Sequence, residues 1–178
     1  MDRLRAGNDA AWTAFLETFS PRVWKYVARL VGSDRHAVSD TTQEVFLSAV
    51  RSISQFEPQR GTLIRWLLGI AHRQSALYWR KRLSEERRMA VAFVETLAES
   101  HTSLSVAVET EERSEAVRKH LAQLPDEIAT LLIGKYLEGR STAELATEFS
   151  ISEDALRARL VRARERFREQ FAATFQEL

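Results

Sequence analysis

The 178-residue chain has no cysteine. That absence excludes a disulfide framework and thiolate metal sites, and it suits a reducing compartment. Proline and glycine are scarce, at 3 and 6 residues. The prolines fall at predicted boundaries, Pro21 and Pro125 at helix starts and Pro58 in a loop. No apolar run approaches the length of a membrane span, and the opening "MDRLRAGNDAAW" has no signal-peptide core, so a cytoplasmic protein is expected. The four histidines, His36, His72, His101 and His120, stand at no metal-ligand spacing. There is no Ser-His-Asp grouping and no phosphate-cradling glycine loop. Neither an enzyme nor a bound metal or cofactor is expected.

Period-two alternation is equally hard to find, whereas stripes of helical period run through the chain. "AAWTAFLETF" places Trp12, Phe15, Leu16 and Phe19 on one face. Ser20 and Pro21 read as the cap and first residue of a second helix, with Val23, Val27, Leu30 and Val31 inward and Gly32 at its end. After Ser33 or Asp34 as cap, a third helix carries the stripe Val38, Thr42, Val45, Phe46, Ala49, Val50 and Ile53. Beyond the loop "QFEPQRG", a fourth helix turns Leu63, Leu67, Ile70, Ala71, Gln74, Leu77 and Tyr78 inward. The expected fold is all-α, with two small helical domains. Residues 1–83 form a four-helix unit, 84–108 a connector and 109–178 a second unit.

In that second unit, "LPDE" opens a helix that buries Ile128, Leu131, Leu132 and Tyr136 and ends at Gly139. "STAE" at 141–144 has capping-box spacing. A short helix, the turn Phe149-Ser150-Ile151, a cap at Ser152 and a longer helix with Leu156, Leu160, Ala163 and Phe167 inward then give a helix-turn-helix plan.

Charge supplies the functional clue. Net charge is only +1, yet "ISEDALRARLVRARERF" holds Arg157, Arg159, Arg162, Arg164 and Arg166, with Arg168 next and Glu165 the only acid among them. An ordinary exposed helix intersperses both signs, because like charges three or four apart repel. The second helix of a helix-turn-helix enters the major groove, where arginine pairs with guanine and with phosphates. A second basic surface closes the first unit, "YWRKR", whereas residues 83–124 lean acidic, with 5 Lys+Arg against 8 Asp+Glu. Two separated basic surfaces fit two contacts with a polyanion. On the fourth helix, Trp66, Arg73 and Arg80 lie seven apart along one side, with the small Gly69 and Ala76 between them. That track offers a ring for stacking and guanidinium groups for phosphates. Trp66 also reads as a core residue, and Trp79 and Tyr78 share that ambiguity.

"DTTQEVFLSAVRSISQFEPQRGTLIRWLLGIAHR" resembles region 2 of the extracytoplasmic-function (ECF) sigma factors of bacterial RNA polymerase. "LPDEIATLLIGKYLEGRSTAELATEFSISEDALRARLVRARERF" resembles their region 4. The resemblance implies an alternative sigma factor whose region 2 binds the clamp helices of core RNA polymerase and captures the −10 element. Its region 4 would bind the flap tip and read the −35 element of promoter DNA. An anti-sigma factor is implied as regulator.

Carried onto this sequence, the resemblance places polymerase contact on Asp40, Gln43, Glu44, Leu47 and Arg51, opposite the core stripe of the third helix. It places −10 recognition on Phe56, Arg60, Trp66, Arg73, Trp79 and Arg80. The loop Gln55–Gly61 would hold a flipped base, though Phe56 equally reads as the seal of the core beneath it. It places −35 recognition on Ser152, Arg157, Ala158, Arg159, Arg162 and Arg164. Ser150 stands where a glycine is frequent. A self-sufficient dimeric helix-turn-helix transcriptional regulator is the alternative. It would leave the basic fourth helix and the polar face of the third without a role.

Overall fold

The computed structural model describes residues 1–94 and 106–175, and every regular element among them is helical. A short α1 (Asp2–Arg5) precedes α2 (Asp9–Val31), α3 (Arg35–Ser52) and α4 (Leu63–Val94). The Trp12 indole N–H donates to the Leu4 carbonyl at 3.1 Å and ties α1 to α2. Asn8 caps α2 by accepting from the Ala11 amide. Asp34, one of the two expected caps, takes the amides of His36 and Ala37 at the start of α3.

One expected boundary is absent. Helix α2 runs without interruption through Pro21, so the predicted break at Ser20-Pro21 is corrected. Proline has no N–H for the Glu17 carbonyl, but Pro21 and Glu17 both lie on the exposed side, where water can take that acceptor. The Ser20 hydroxyl bonds back to the Leu16 carbonyl at 2.6 Å instead of capping a new helix. Helix α4 likewise continues to Val94, beyond the expected end of the first unit near 83. The rest of the expected connector, 95–105, lies outside the described residues.

The second unit comprises α5 (Val106–Gln123), α6 (Asp126–Leu132), a π-helical turn (Ile133–Leu137), α7 (Thr142–Phe149) and α8 (Glu153–Phe175). Gly134 lets that turn approach α7, since a Cβ there would come within 2.8 Å of Leu145 Cδ2. The capping box forms as its spacing requires. Ser141 Oγ accepts from the Glu144 amide at 3.1 Å, and Glu144 Oε2 accepts from the Ser141 amide at 2.8 Å. The Ser141 backbone N–H, then its hydroxyl, hold the Glu144 carboxyl below the usual carboxylate range.

Helices α2, α3 and α4 pack around Val23, Val27, Leu30, Val45, Leu67 and Ala71, all inaccessible to solvent. Ile133, Leu145 and Leu156 centre the second core. The two units also pack on each other. Tyr26 of α2, 2 % exposed, meets the Thr130 hydroxyl of α6 at 3.0 Å, and burial pushes its phenol well above the usual range. His72 of α4 reaches the Leu124 carbonyl between α5 and α6 at 2.8 Å through Nε2. Glu148 of α7 is buried between Arg140 of its own unit, at 2.7 Å, and Arg22 of α2. A buried carboxylate is tolerable only with such partners.

Candidate nucleic-acid interface

Helix α8 begins where Ser152 accepts from the Ala155 amide at 3.2 Å. The turn before it puts Ser150 at φ 53°, a left-handed conformation that costs a residue with a Cβ about 1–2 kcal/mol. Leu156, Leu160 and Ala163 are buried against α6 and α7. At about 100° per residue, the arginines then divide into two rows. Arg157, Arg164 and Arg168 follow one edge of the exposed face, and Arg159, Arg162 and Arg166 the other. Ala158, the 43 %-exposed Val161 and the exposed acids Asp154 and Glu165 lie between them. Two cationic edges match a groove with phosphates on both walls. Arg157 is occupied in the free chain, donating to Asp154 Oδ1 at 2.6 Å and Glu153 Oε2 at 3.0 Å.

In the first unit, Arg73 and Arg80 are exposed and Trp66 is half-buried on α4. The loop from 53 to 62 folds into two 3-10 turns, Ile53–Gln55 and Pro58–Arg60. Gly61 takes φ 146°, which a side chain rarely adopts. Arg60 stands at the tip and pairs with Glu57 at 2.9 Å. Phe56 is buried beneath, its ring 5.6 Å from Trp66, and Arg5 Nη2 donates to its carbonyl at 2.7 Å. Phe56 therefore seals the core in this conformation and does not face solvent.

Trp79 is a clearer correction. It is 2 % exposed, and its indole N–H donates to the Leu30 carbonyl at 2.8 Å. A side chain so enclosed presents no surface to DNA, so the expected −10 contact is withdrawn and Trp79 belongs to the core.

Asp40, Gln43, Glu44, Leu47 and Arg51 are all exposed on α3, as one face. Val50 and Leu77, which helical spacing had turned inward, extend it with 51 % and 47 % of their surface open. Asp40 and Glu44 border a groove of about 890 Å³ whose other wall includes Gln74, Leu77 and Lys81 of α4. A second, mainly apolar groove of about 280 Å³ lies in the second unit. Val117, Leu121, Leu132, Tyr136, Leu137 and Phe167 are among its lining residues. Tyr136, expected inward, is instead 53 % exposed at its rim.

Two family models match the chain in succession. Residues 15–84 match Sigma-70 region 2, and residues 114–167 match Sigma-70, region 4. The chain belongs to the ECF sigma factors of bacterial RNA polymerase. It is 28 % identical over 162 residues to the ECF RNA polymerase sigma factor SigK of Mycobacterium tuberculosis, covering 86 % of each chain. Over 175 residues it is 25 % identical to SigW of Bacillus subtilis, covering 94 % of this chain and 92 % of that one. A solved structure of CnrH in complex with the cytosolic domain of CnrY shares the fold, with a TM-score of 0.50 and 19 % identity. That match covers 99 % of this chain and 94 % of the other.

Sequence reasoning passed over Arg65 and Arg22. Arg65 donates to Glu127 Oε1 at 2.7 Å and lies 4.3 Å over the Phe149 ring. Both arginines sit on helices of the first unit and direct their guanidinium groups to side chains of the second, a relationship that periodicity cannot register.

Proposed function

We propose that this ECF sigma factor directs core RNA polymerase to promoters by dividing the work between surfaces that no one module could combine. The observation that carries this reading is the pairing of an exposed Asp40–Arg51 face, free of arginine clusters, with an arginine-edged helix α8 on a separate unit. A lone DNA-binding regulator needs the second and not the first.

In this reading the clamp helices of the polymerase dock on Asp40, Gln43, Glu44, Leu47 and Arg51, with Val50 and Leu77 adding apolar area. The flap tip takes the apolar groove rimmed by Tyr136 and Leu137. Region 2 holds the separated −10 strand along Trp66, Arg73 and Arg80, with Arg60 at the loop tip. Region 4 reads the −35 duplex through α8. Arg157 lies early enough to reach base edges, with Ala158 next to it and Ser152 at the helix cap, and Arg159, Arg162 and Arg164 meet phosphates. The protein performs no chemistry of its own and needs no cofactor; the polymerase supplies catalysis. It works in the cytoplasm, where polymerase is, and among its described residues no helix is long and apolar enough to cross a membrane. An anti-sigma factor that covers either docking surface would silence it.

Gel filtration with core RNA polymerase tests the reading. The wild type should co-elute, and Leu47→Asp combined with Val50→Asp should abolish co-elution while leaving the helical content of the free chain unchanged. Wild-type protein that elutes apart from polymerase would remove the basis of the proposal.

A further inference from the structure

Helix α1 lies ahead of the residues, 15–84, that match Sigma-70 region 2. It nevertheless reaches the loop that would hold the −10 strand. Arg5 is an exposed residue, yet its Nη2 donates to the Phe56 carbonyl at 2.7 Å, across 51 positions of sequence. The helix that carries Arg5 is itself anchored. Leu4 is buried, and its carbonyl accepts the Trp12 indole N–H at 3.1 Å. Trp12 packs edge-on against Phe15, with ring centroids 5.2 Å apart. Gly7, at φ 71°, turns the chain from α1 into α2, and the Asn8 amide bonds back to the Arg3 carbonyl at 3.0 Å. A continuous line of contacts therefore runs from α2 through Trp12 and α1 to Arg5 and Phe56.

Phe56 joins the two 3-10 turns of the loop. Its side chain is buried and its N–H donates to the Ile53 carbonyl at 3.2 Å, so the bond from Arg5 completes its fixing. Beyond it, residues 57–60 are exposed and closed on themselves. The Arg60 amide donates to the Glu57 carbonyl at 3.0 Å, and the two side chains pair at 2.9 Å. Gly61, at φ 146°, forms the far end. Rotation of the peptide after Phe56 would swing this compact tip as one body. A recognition element discriminates only when its neighbours hold it to about 0.5 Å. A charge-assisted bond to the backbone at that joint is a strong way to hold it.

We infer that Arg5 is a positioning residue for −10 recognition: α1 is a strut that fixes the Gln55–Gly61 loop in the shape that selects an extruded base. The inference rests on the sigma-factor reading. Extruding a base costs free energy that a fitted pocket must offset, and bases are told apart only while that pocket keeps its shape. Arg5 directs its bond to the protein backbone and needs no contact with DNA. Met1, in the same segment, lines a cleft of about 630 Å³ together with Phe56, Arg60 and Gly61. The strut thus stands beside the loop tip that it supports.

Trypsin treatment of the free chain, with cleavage after Arg60 followed by mass spectrometry, tests the strut itself. Arg5→Met should be cut about three- to tenfold faster than wild type, as loss of one charged hydrogen bond allows. Arg3→Met, an equal charge change on the same exposed helix, should be cut as wild type is. Binding by reconstituted holoenzyme then tests the role. The probes are labelled non-template single strands carrying a mapped −10 element, with each position replaced in turn. Arg5→Met should lose about three- to tenfold of the base preference at one position and keep it at the others. Arg5→Lys, which retains a charged donor, should recover part of that loss. Trp12→Phe should lower the same preference with Arg5 in place, because it frees the other end of the strut. Equal cleavage of Arg5→Met and wild type, or an unchanged base preference, would overturn the inference. So would a uniform loss on every strand with a flatter salt dependence, the mark of a phosphate contact. Wild-type holoenzyme without any base preference would fail the sigma-factor reading instead, and cleavage of the free chain judges the strut independently of it.

Discussion

The indole N–H of Trp79 donates to the Leu30 carbonyl at 2.8 Å and joins the middle of α4 to the last turn of α2. Because Trp79 is almost wholly enclosed, its role is separable from DNA binding. Trp79→Phe should retain most of the packing but leave that carbonyl unpaired, costing about 1–3 kcal/mol in urea unfolding. The salt dependence of promoter binding by holoenzyme should be unchanged. A flatter salt slope would restore Trp79 to the DNA surface.

The −10 track makes the opposite prediction. Trp66→Ala with Arg80→Ala should impair open-complex formation, and a pre-melted bubble template should recover much of the transcription. Equal failure on duplex and bubble templates would assign both residues to the fold.

Two arginines of α8 should behave differently. Arg157→Ala should cost roughly 1–3 kcal/mol on a cognate −35 element and much less on a scrambled one, as lost base readout does. Arg164→Ala should weaken both by a similar factor and flatten the salt dependence. Holoenzyme binding to the two templates at several salt concentrations decides it. Equal losses for Arg157→Ala on both would place that residue on the backbone.

The turn offers a test of strain. Ser150 pays for a left-handed conformation that glycine adopts freely. Ser150→Gly should raise the stability of region 4 by about 0.5–1 kcal/mol, after allowance for glycine's greater freedom when unfolded. A lower melting temperature would show that the Ser150 side chain contributes more than its backbone costs.

How much of this was legible in the sequence depended on whether the signal was local. The capping box at Ser141, the caps at Asp34 and Ser152 and the arginine helix are short-range chemistry, and all formed. Pro21 misled because proline's effect depends on whether its orphaned carbonyl can reach water, which a sequence does not state. Val50, Leu77 and Tyr136 were read as core from their apolar character, yet they are open at the two grooves. Periodicity finds apolar residues but cannot tell a face that packs within the chain from one left for a partner. Trp79 failed in the other direction, since aromatic and basic neighbours suggested DNA while its register faced Leu30. The Glu127–Arg65 pair spans 62 positions and had no local signature at all.

Acid should loosen the joint between the units. Burial, the dominant cause, lowers the His72 pKa, partly offset by the Leu124 carbonyl and Asp126 and reinforced by Arg73. The unfolded chain therefore binds this proton more readily than the folded one. The effect is nil above the unfolded value of about 6.5. Stability then falls as pH drops below it, until the folded value is reached. Denaturant unfolding from pH 7.5 to 5.5 should show that decline, and His72→Gln should lessen it. An identical slope in the variant would place the titration elsewhere.

Run-off transcription by core RNA polymerase over genomic fragments, with start sites mapped, tests promoter direction by this chain most directly. Adding this chain should produce discrete starts preceded by a shared −10 and −35 pair, and core enzyme alone should produce none of them. Start sites unchanged by the chain, together with tight dimeric binding of the isolated protein to a palindromic duplex at physiological salt, would contradict it.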